Sequence, residues 1–356
     1  MVAEVPRTGS DRAEGDSDDM PDGDTNPWGI SAEAARIHRD ALVWDDHGGF
    51  AFTGPGSLDG LDRWLAAGVD YLSINVSFDV TPWELGIDAL AYYRKWVREH
   101  PELLVQVETV ADIHRAKRDG KLAVTYDIEG MNALKGDVGM VELYYKLGVR
   151  HMLFAYNRNN LAGGGCHDEN VGLTGFGREV IREMNRIGMV VDCSHSAHRT
   201  TMEAMEVSEA PVIFSHSNAR ALCDHERNIR DDQIKACAAT GGVVGVTGVG
   251  RFLGPNGPTV QHLVEHIDYM VEKIGPEHVG IGMDTVFRKD DFGDFLEKHR
   301  EYWPVSQYAS GAAIGYIPPD DFPKVTQALL DRGYDEAAIR GILGGNFLRI
   351  AGQVWK

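Results

Sequence analysis

FGREVIREMNRIGMVVDCSH, residues 176–195, reads as a helix followed by a strand. Residues 176–188 have helical character and stop at Gly188, a residue that ends helices because it takes left-handed backbone angles without steric cost. A short apolar run, 188–195, follows and closes on His195. The same alternation recurs along the chain. Apolar or β-branched runs lie at 41–47, 70–78, 122–129, 149–156, 210–216, 241–248 and 278–284, with helix-like stretches such as 61–68, 140–148 and 260–275 between them. In 260–275, Val260, Leu263, Val264, Ile267 and Val271 recur at helical spacing. Extra helix and an additional short strand are expected within 80–120, the strand at 103–108. A long aromatic and charged insertion is expected at about 285–335, and a closing helix at 336–353.

Eight strands alternating with helices imply one parallel sheet covered by helices. At 356 residues a closed (β/α)8 TIM barrel fits better than an open doubly wound sheet, which stays as the alternative. No GxGxxG follows the first strand and no GxxxxGK[ST] occurs, so neither a dinucleotide fold nor a P-loop is indicated. The expected organisation is a disordered acidic tail over 1–28 and one barrel domain of metal-dependent-hydrolase type over 29–356. The tail carries eight acidic and two basic residues and almost nothing to bury.

Composition narrows the partners. The chain holds 35 basic against 54 acidic residues, a formal charge of −19, which argues against a nucleic-acid or anionic-membrane surface. The start lacks the basic and apolar regions of a secretory signal, and no run approaches 18 apolar residues. The four cysteines, Cys166, Cys193, Cys223 and Cys237, form no CxxC pair and read as free thiols of a cytoplasmic protein.

The polar residues fall in a pattern. His47 ends run 41–47, Glu129 ends 122–129, His195 ends 188–195, His216 ends 210–216 and Asp284 ends 278–284. In a parallel barrel these ends meet on the face where such barrels do chemistry. Singly, each residue has an ordinary reading: a hydrogen-bonded histidine, a helix-capping glutamate, an aspartate in a turn. Together, three imidazoles and two carboxylates are a donor set for Zn²⁺. The hydroxyls of Ser194, Ser196, Ser215 and Ser217 flank two of the histidines and offer partners that would orient the rings. No G-x-S-x-G is present, which disfavours a serine hydrolase.

The motifs DCSHS (192–196), FSHSNAR (214–220), HERNIRDD (225–232), HVGIGMD (278–284), GGNFLRI (344–350), YDIEG (126–130) and GLTGFGREVIREMNRIGMVVD (172–192) resemble the membrane (renal-type) dipeptidase family of zinc peptidases, peptidase family M19. The resemblance runs from about residue 38 to 352. It implies an amidohydrolase-like (β/α)8 barrel, commonly a homodimer, acting on a small dipeptide-like substrate. It also implies two zinc ions sharing a bridging carboxylate. Carried over by motif, Glu129 is that carboxylate, His195 and His216 complete one zinc and His47 belongs to the other. Asp284 is the catalytic acid–base and Arg227 binds the substrate's terminal carboxylate. Two positions depart from the family. Its first strand ends in His-x-Asp, but here Gly49 stands at the aspartate position, so one zinc is expected and a second is weak or absent. Tyr156 stands where the family commonly has a histidine that helps hold the reacting carbonyl; tyrosine donates a hydrogen bond without the charge.

The leading expectation is therefore a zinc-dependent hydrolase cleaving a dipeptide or small amide. The alternatives are a divergent member with a tailoring or catabolic role on a non-peptide molecule, and a non-catalytic binding protein that keeps a vestigial metal.

Overall fold

The structure is a computed structural model and describes residues 26–49, 60–286, 292–308 and 314–356. Of the tail expected over 1–28, all but the last three residues lie outside this range, as do parts of the stretch 285–335.

The described residues form nine parallel strands: β1 (Trp44–Gly48), β2 (Tyr71–Phe78), β3 (Leu104–Gln106), β4 (Leu122–Glu129), β5 (Val149–Leu153), β6 (Val190–Asp192), β7 (Val212–Phe214), β8 (Val243–Val246) and β9 (Val279–Ile281). Their order in the sheet follows the chain, β1-β2-β4-β5-β6-β7-β8-β9, with β3 pairing the first half of β4. The first and last strands then meet. Asp284 N–H donates to His47 O at 2.8 Å and Gly49 N–H to Thr285 O at 2.7 Å. A parallel bridge joins Gly48 and Thr285 across the same seam. This closure decides against the open sheet and gives the barrel. Asp45 supports the seam from below, accepting Met283 N–H and the Trp64 indole N–H, each at 2.8 Å.

Strand β4 shows how the sequence builds a barrel wall. Val124, Tyr126 and Ile128 join the hydrophobic layer under the helices. Thr125, Asp127 and Glu129 alternate with them and so share the other face, turned into the barrel. Outside, the helix Gly175–Ile187 buries Val180, Ile181, Met184 and Ile187 and ends at Gly188 with φ 91°. A Cβ there would lie 2.6 Å from Val354 O, so glycine is required twice over, by conformation and by space. The helix Val260–Ile274 buries Leu263, Val264 and Ile267 as its spacing predicts, with Met270 buried in addition and Val260 and Val271 half-buried against the core.

Several of the predicted elements differ. The ladders β6, β7 and β9 stop short of the histidines and aspartate expected to end them. After β6, Ser194 N–H and Ser215 N–H turn to the Asp192 side chain at 2.9 and 3.0 Å, and His195 takes a left-handed φ of 59°. His195, His216 and Asp284 therefore lie on the loops at the barrel mouth, just beyond the strands. The closing helix 336–353 is broken into Glu336–Arg340, a wide turn Gly341–Gly345 and Asn346–Val354. The cause is close approach: a Cβ on Gly344 would be 2.4 Å from Leu42 O.

All four cysteines are free. Among the described residues no helix is long and apolar enough to cross a membrane.

Candidate metal centre

Four of the five residues predicted to converge do so on one oxygen. Glu129 Oε1 lies 3.2 Å from His195 Nε2, 3.2 Å from His216 Nε2 and 3.6 Å from His47 Nε2. His195 Nε2 and His216 Nε2 are 3.1 Å apart. Asp284, the fifth, places Oδ1 3.6 Å from His47 Nε2. The three imidazoles and Glu129 are buried, and the His47 and His216 rings stack with centroids 3.9 Å apart.

The far side of each ring shows which nitrogen carries hydrogen. His195 Nδ1 meets Asn157 Oδ1 at 2.7 Å, and Asn157 Nδ2 donates to Tyr302 O at 3.1 Å, so the oxygen faces the ring and Nδ1 must donate. His216 Nδ1 meets Ser215 Oγ at 2.6 Å. That hydroxyl gives its one hydrogen to Asp192 Oδ2 at 2.5 Å, so it accepts from the ring. His47 Nδ1 faces Asp127 Oδ1 at 3.1 Å, and Asp127 is itself held by Ser73 Oγ and Asn75 Nδ2 at 2.7 and 2.9 Å.

With the Nδ1 hydrogens committed, the Nε2 atoms of His195 and His216 present lone pairs to each other and to Glu129 Oε1. Oε1 is buried and has no hydrogen-bond partner among the described residues. Three acceptors within 3.2 Å repel unless a cation lies among them. Their spacing also fits one: neighbouring ligand atoms on a tetrahedral Zn²⁺ with bonds of about 2.0–2.1 Å are roughly 3.3–3.4 Å apart. The residues present therefore fit a divalent metal. His47, Glu129 and His216 also form a set with donor atoms within 4.8 Å of one another. Asp284 Oδ1 lies on the His47 side of this set, outside it.

For His195 and His216 the electrostatics agree. Burial holds His195 and His216 well below the ordinary imidazole range, with Arg227 and His47 adding to it, so both rings are neutral. Burial pushes Glu129 up to about 8, against the pull of His47. Burial opposes a charge on His47, but Asp127 and Glu129 outweigh it and raise that ring.

Of the remaining predicted residues, Tyr156 stacks on His195 with centroids 4.2 Å apart. It lines a cavity of about 30 Å³ over Glu129 and Asp284, walled by Phe252, Trp303, Tyr308 and Tyr316. Arg227 lies deeper. Its Nη1 donates to Ser217 Oγ at 2.9 Å and Nη2 to His216 O at 2.6 Å. Ser215 thus serves as the sequence suggested, on the His216 ring, whereas Ser217 accepts from Arg227 instead of a ring and the partner of His195 is Asn157 and not a flanking serine.

Asn157, Asp127, Asp192 and His151 escaped the sequence reading. Asp127 had a signal, lying two residues before Glu129 on the same strand face. His151 sits within the barrel, 3.8 Å from Asp127 Oδ2 and 3.5 Å from Asp192 Oδ2. Burial opposes its charge, but Asp46 and Asp127 outweigh it and raise the ring to about 9. Asn157 had no signal. An Asn157→Ala variant is expected to bind zinc about 10–100-fold more weakly, because its acceptor holds the His195 ring. Asn157→Asp keeps an acceptor and tolerates the left-handed φ of 62°, and is expected to retain most of the affinity. Competition against a chromophoric chelator measures both; unchanged affinity in Asn157→Ala would remove Asn157 from this role.

Residues 57–294 match the model of the membrane dipeptidase family, peptidase family M19; the match begins beyond His47 and Gly49. The chain is 30% identical to dipeptidase verJ of Clonostachys rogersoniana, over 72% of this chain and 62% of that protein. It is 34% identical to an uncharacterized dipeptidase of Schizosaccharomyces pombe, over 67% of this chain and 54% of that one. The matched region thus spans little more than half of these curated relatives. Among solved structures, an amidohydrolase from Pseudomonas aeruginosa superposes with a TM-score of 0.83 at 31% identity, covering 90% of this chain and 99% of the other.

Proposed function

This chain belongs to the membrane dipeptidase family, peptidase family M19, and on that premise we propose that it is a zinc-dependent hydrolase that cleaves a dipeptide or small amide bond with water. It is a metallo-dipeptidase-like hydrolase by family; the metal, the substrate and the residue roles are our reading. The observation that carries it is the meeting of His195 Nε2, His216 Nε2 and the unpartnered Glu129 Oε1 within 3.2 Å. Glu129, His195 and His216 would hold the ion, with His47 and Asp284 beside them. A zinc ion bound there supplies Lewis acidity and brings the pKa of a water to about 7.

The chain's own groups do the rest. Asp284, at the edge of the cavity, takes a proton at its carboxylate from the attacking water and returns it to the leaving amine. Burial raises its pKa, against His47 and Arg227, which suits a group that must both accept and release a proton. Burial raises the Tyr156 phenol well above its usual range, so its hydroxyl stays protonated and donates to the reacting carbonyl oxygen. Arg227 offers the N–H groups left free by Ser217 and His216 to the substrate's carboxylate. The aromatic wall excludes bulk water, which strengthens each of these interactions.

A second reading, a divergent member acting on a non-peptide molecule, is favoured by Gly49 and Tyr156. Metal analysis of protein purified without chelators, joined to a panel of L,L- and L,D-dipeptides, separates the two. One zinc per chain with dipeptide turnover is expected; zinc without turnover of any dipeptide would overturn the first reading in favour of the second. The Gly49→Asp variant restores the missing carboxylate. Gly49 has φ 60°, a conformation aspartate tolerates better than most residues, so the variant is expected to fold. A second metal equivalent with several-fold higher dipeptidase activity is expected. No added metal and no gain would mean that the ligand at this position does not limit the enzyme.

A further inference from the structure

A polar cavity of about 230 Å³ lies beside the metal centre, with His195 lining both it and the aromatic cavity over Glu129. Arg220, Arg227 and Arg230 line it. Two backbone bonds, Ile229 N–H to Asn218 O at 2.9 Å and Arg220 N–H to Ile229 O at 2.8 Å, clamp the two loop segments together and bring Arg220 and Arg230 to one wall.

The charges do not balance. Arg227 is 2% exposed, yet its hydrogen bonds go to neutral groups, Ser217 Oγ and His216 O, and no carboxylate lies within 4 Å among the described residues. Its Nε is buried without a partner. A buried guanidinium without a counter-ion is costly to keep dry. Arg230, an exposed residue, has no ion pair among the described residues, and the partner of Arg220, Asp224, is 85% exposed, a pair of little strength. The cavity has two acidic residues. Asp168 pairs with Arg158 at 3.0 Å, and Glu226 faces His167 Nδ1 at 3.1 Å. With Asp168 offset by Arg158 and Arg220 paired with Asp224, Arg227 and Arg230 face Glu226, a surplus of one positive charge in a chain whose formal charge is −19. By volume the cavity holds several waters' worth of ligand, at about 30 Å³ each, enough for a small dicarboxylate.

We propose that this cavity is a dianion site that takes two carboxylates, with Arg220 and Arg230 binding the one that Arg227 does not. In a hydrolase the natural source is a substrate whose C-terminal residue is acidic, carrying its terminal and side-chain carboxylates together. That assignment of source rests on the function proposed above; the anion site does not.

The probe is succinate, titrated calorimetrically into the metal-loaded protein without turnover. Saturable binding is expected, weakened by raised salt, and reduced tenfold or more in Arg220→Gln and in Arg230→Gln, while Arg230→Lys keeps most of it. The lysine variant separates lost charge from a folding defect. Absence of saturable binding overturns the site. So does binding that the glutamine variants leave intact, because succinate would then be held by the metal. For the source, kcat/KM for Ala-Glu is expected to exceed that for Ala-Leu at least tenfold, with the ratio collapsing through KM in Arg230→Gln. A wild-type ratio near one with succinate still bound overturns the substrate assignment and leaves a site for a free dicarboxylate. Failure to hydrolyse any dipeptide would defeat the proposed function, and the succinate titration would still decide the anion site.

Discussion

Glu129→Gln is expected to lower hydrolytic turnover about a thousandfold or more and to reduce bound zinc to a small fraction of an equivalent. Glu129 Oε1 is the atom on which three imidazole nitrogens converge, so its loss removes the charge of the site and not merely one ligand. Loss of several kcal/mol of transition-state stabilisation, the usual contribution of a catalytic metal, corresponds to roughly that factor. Stability should move in the opposite sense. A buried carboxylate pushed up to about 8 is poorly accommodated without a cation, and the neutral amide relieves that cost. The metal-free variant is therefore expected to melt at or above the metal-free parent, and zinc, which raises the parent's melting temperature by binding its folded state, should leave the variant's unchanged. Metal analysis and melting curves with and without zinc provide the check. A variant that kept a full zinc equivalent and normal turnover would remove Glu129 from the centre.

Asp284→Asn is expected to cost about 10²–10⁴ in kcat while leaving the zinc content near that of the parent. The donors Glu129, His195 and His216 are untouched, so the ion stays, but the asparagine amide cannot take a proton. The split between metal content and turnover distinguishes this variant from Glu129→Gln. The acid limb of the pH–rate profile that belongs to this carboxylate should vanish with it. Joint loss of zinc and activity would instead make Asp284 chiefly a ligand, a role its 3.6 Å approach to His47 Nε2 also permits.

Much of the site was legible before any coordinates. In β4 the period of two places Asp127 and Glu129 on one face and Val124, Tyr126 and Ile128 on the other. Glu129 and the histidines were found because they end apolar runs, a pattern that survives even though His195, His216 and Asp284 sit beyond the hydrogen-bonded ladders. Gly188 was readable for the same kind of reason, as a local conformational requirement. The break at Gly344 was not, because its cause is the backbone of Leu42, some three hundred residues earlier in the chain.

By itself, then, the amino-acid sequence determined the alternation of strand and helix, the inward face of each strand and the chemical set offered at the mouth. These follow from periodicity and residue type, which act over a few neighbouring positions. Only the tertiary structure decided that the sheet closes between His47 and Asp284, that Asn157 orients His195, and that the serine beside His216 passes its hydrogen to Asp192. It alone decided that Arg227, Arg220 and Arg230 share one cavity. The earlier of those pairings join groups carried by different strands and the loops just beyond them, whose separation depends on the curvature and closure of the whole barrel; the three arginines share the loop after β7, gathered by its backbone bonds among Asn218, Arg220 and Ile229.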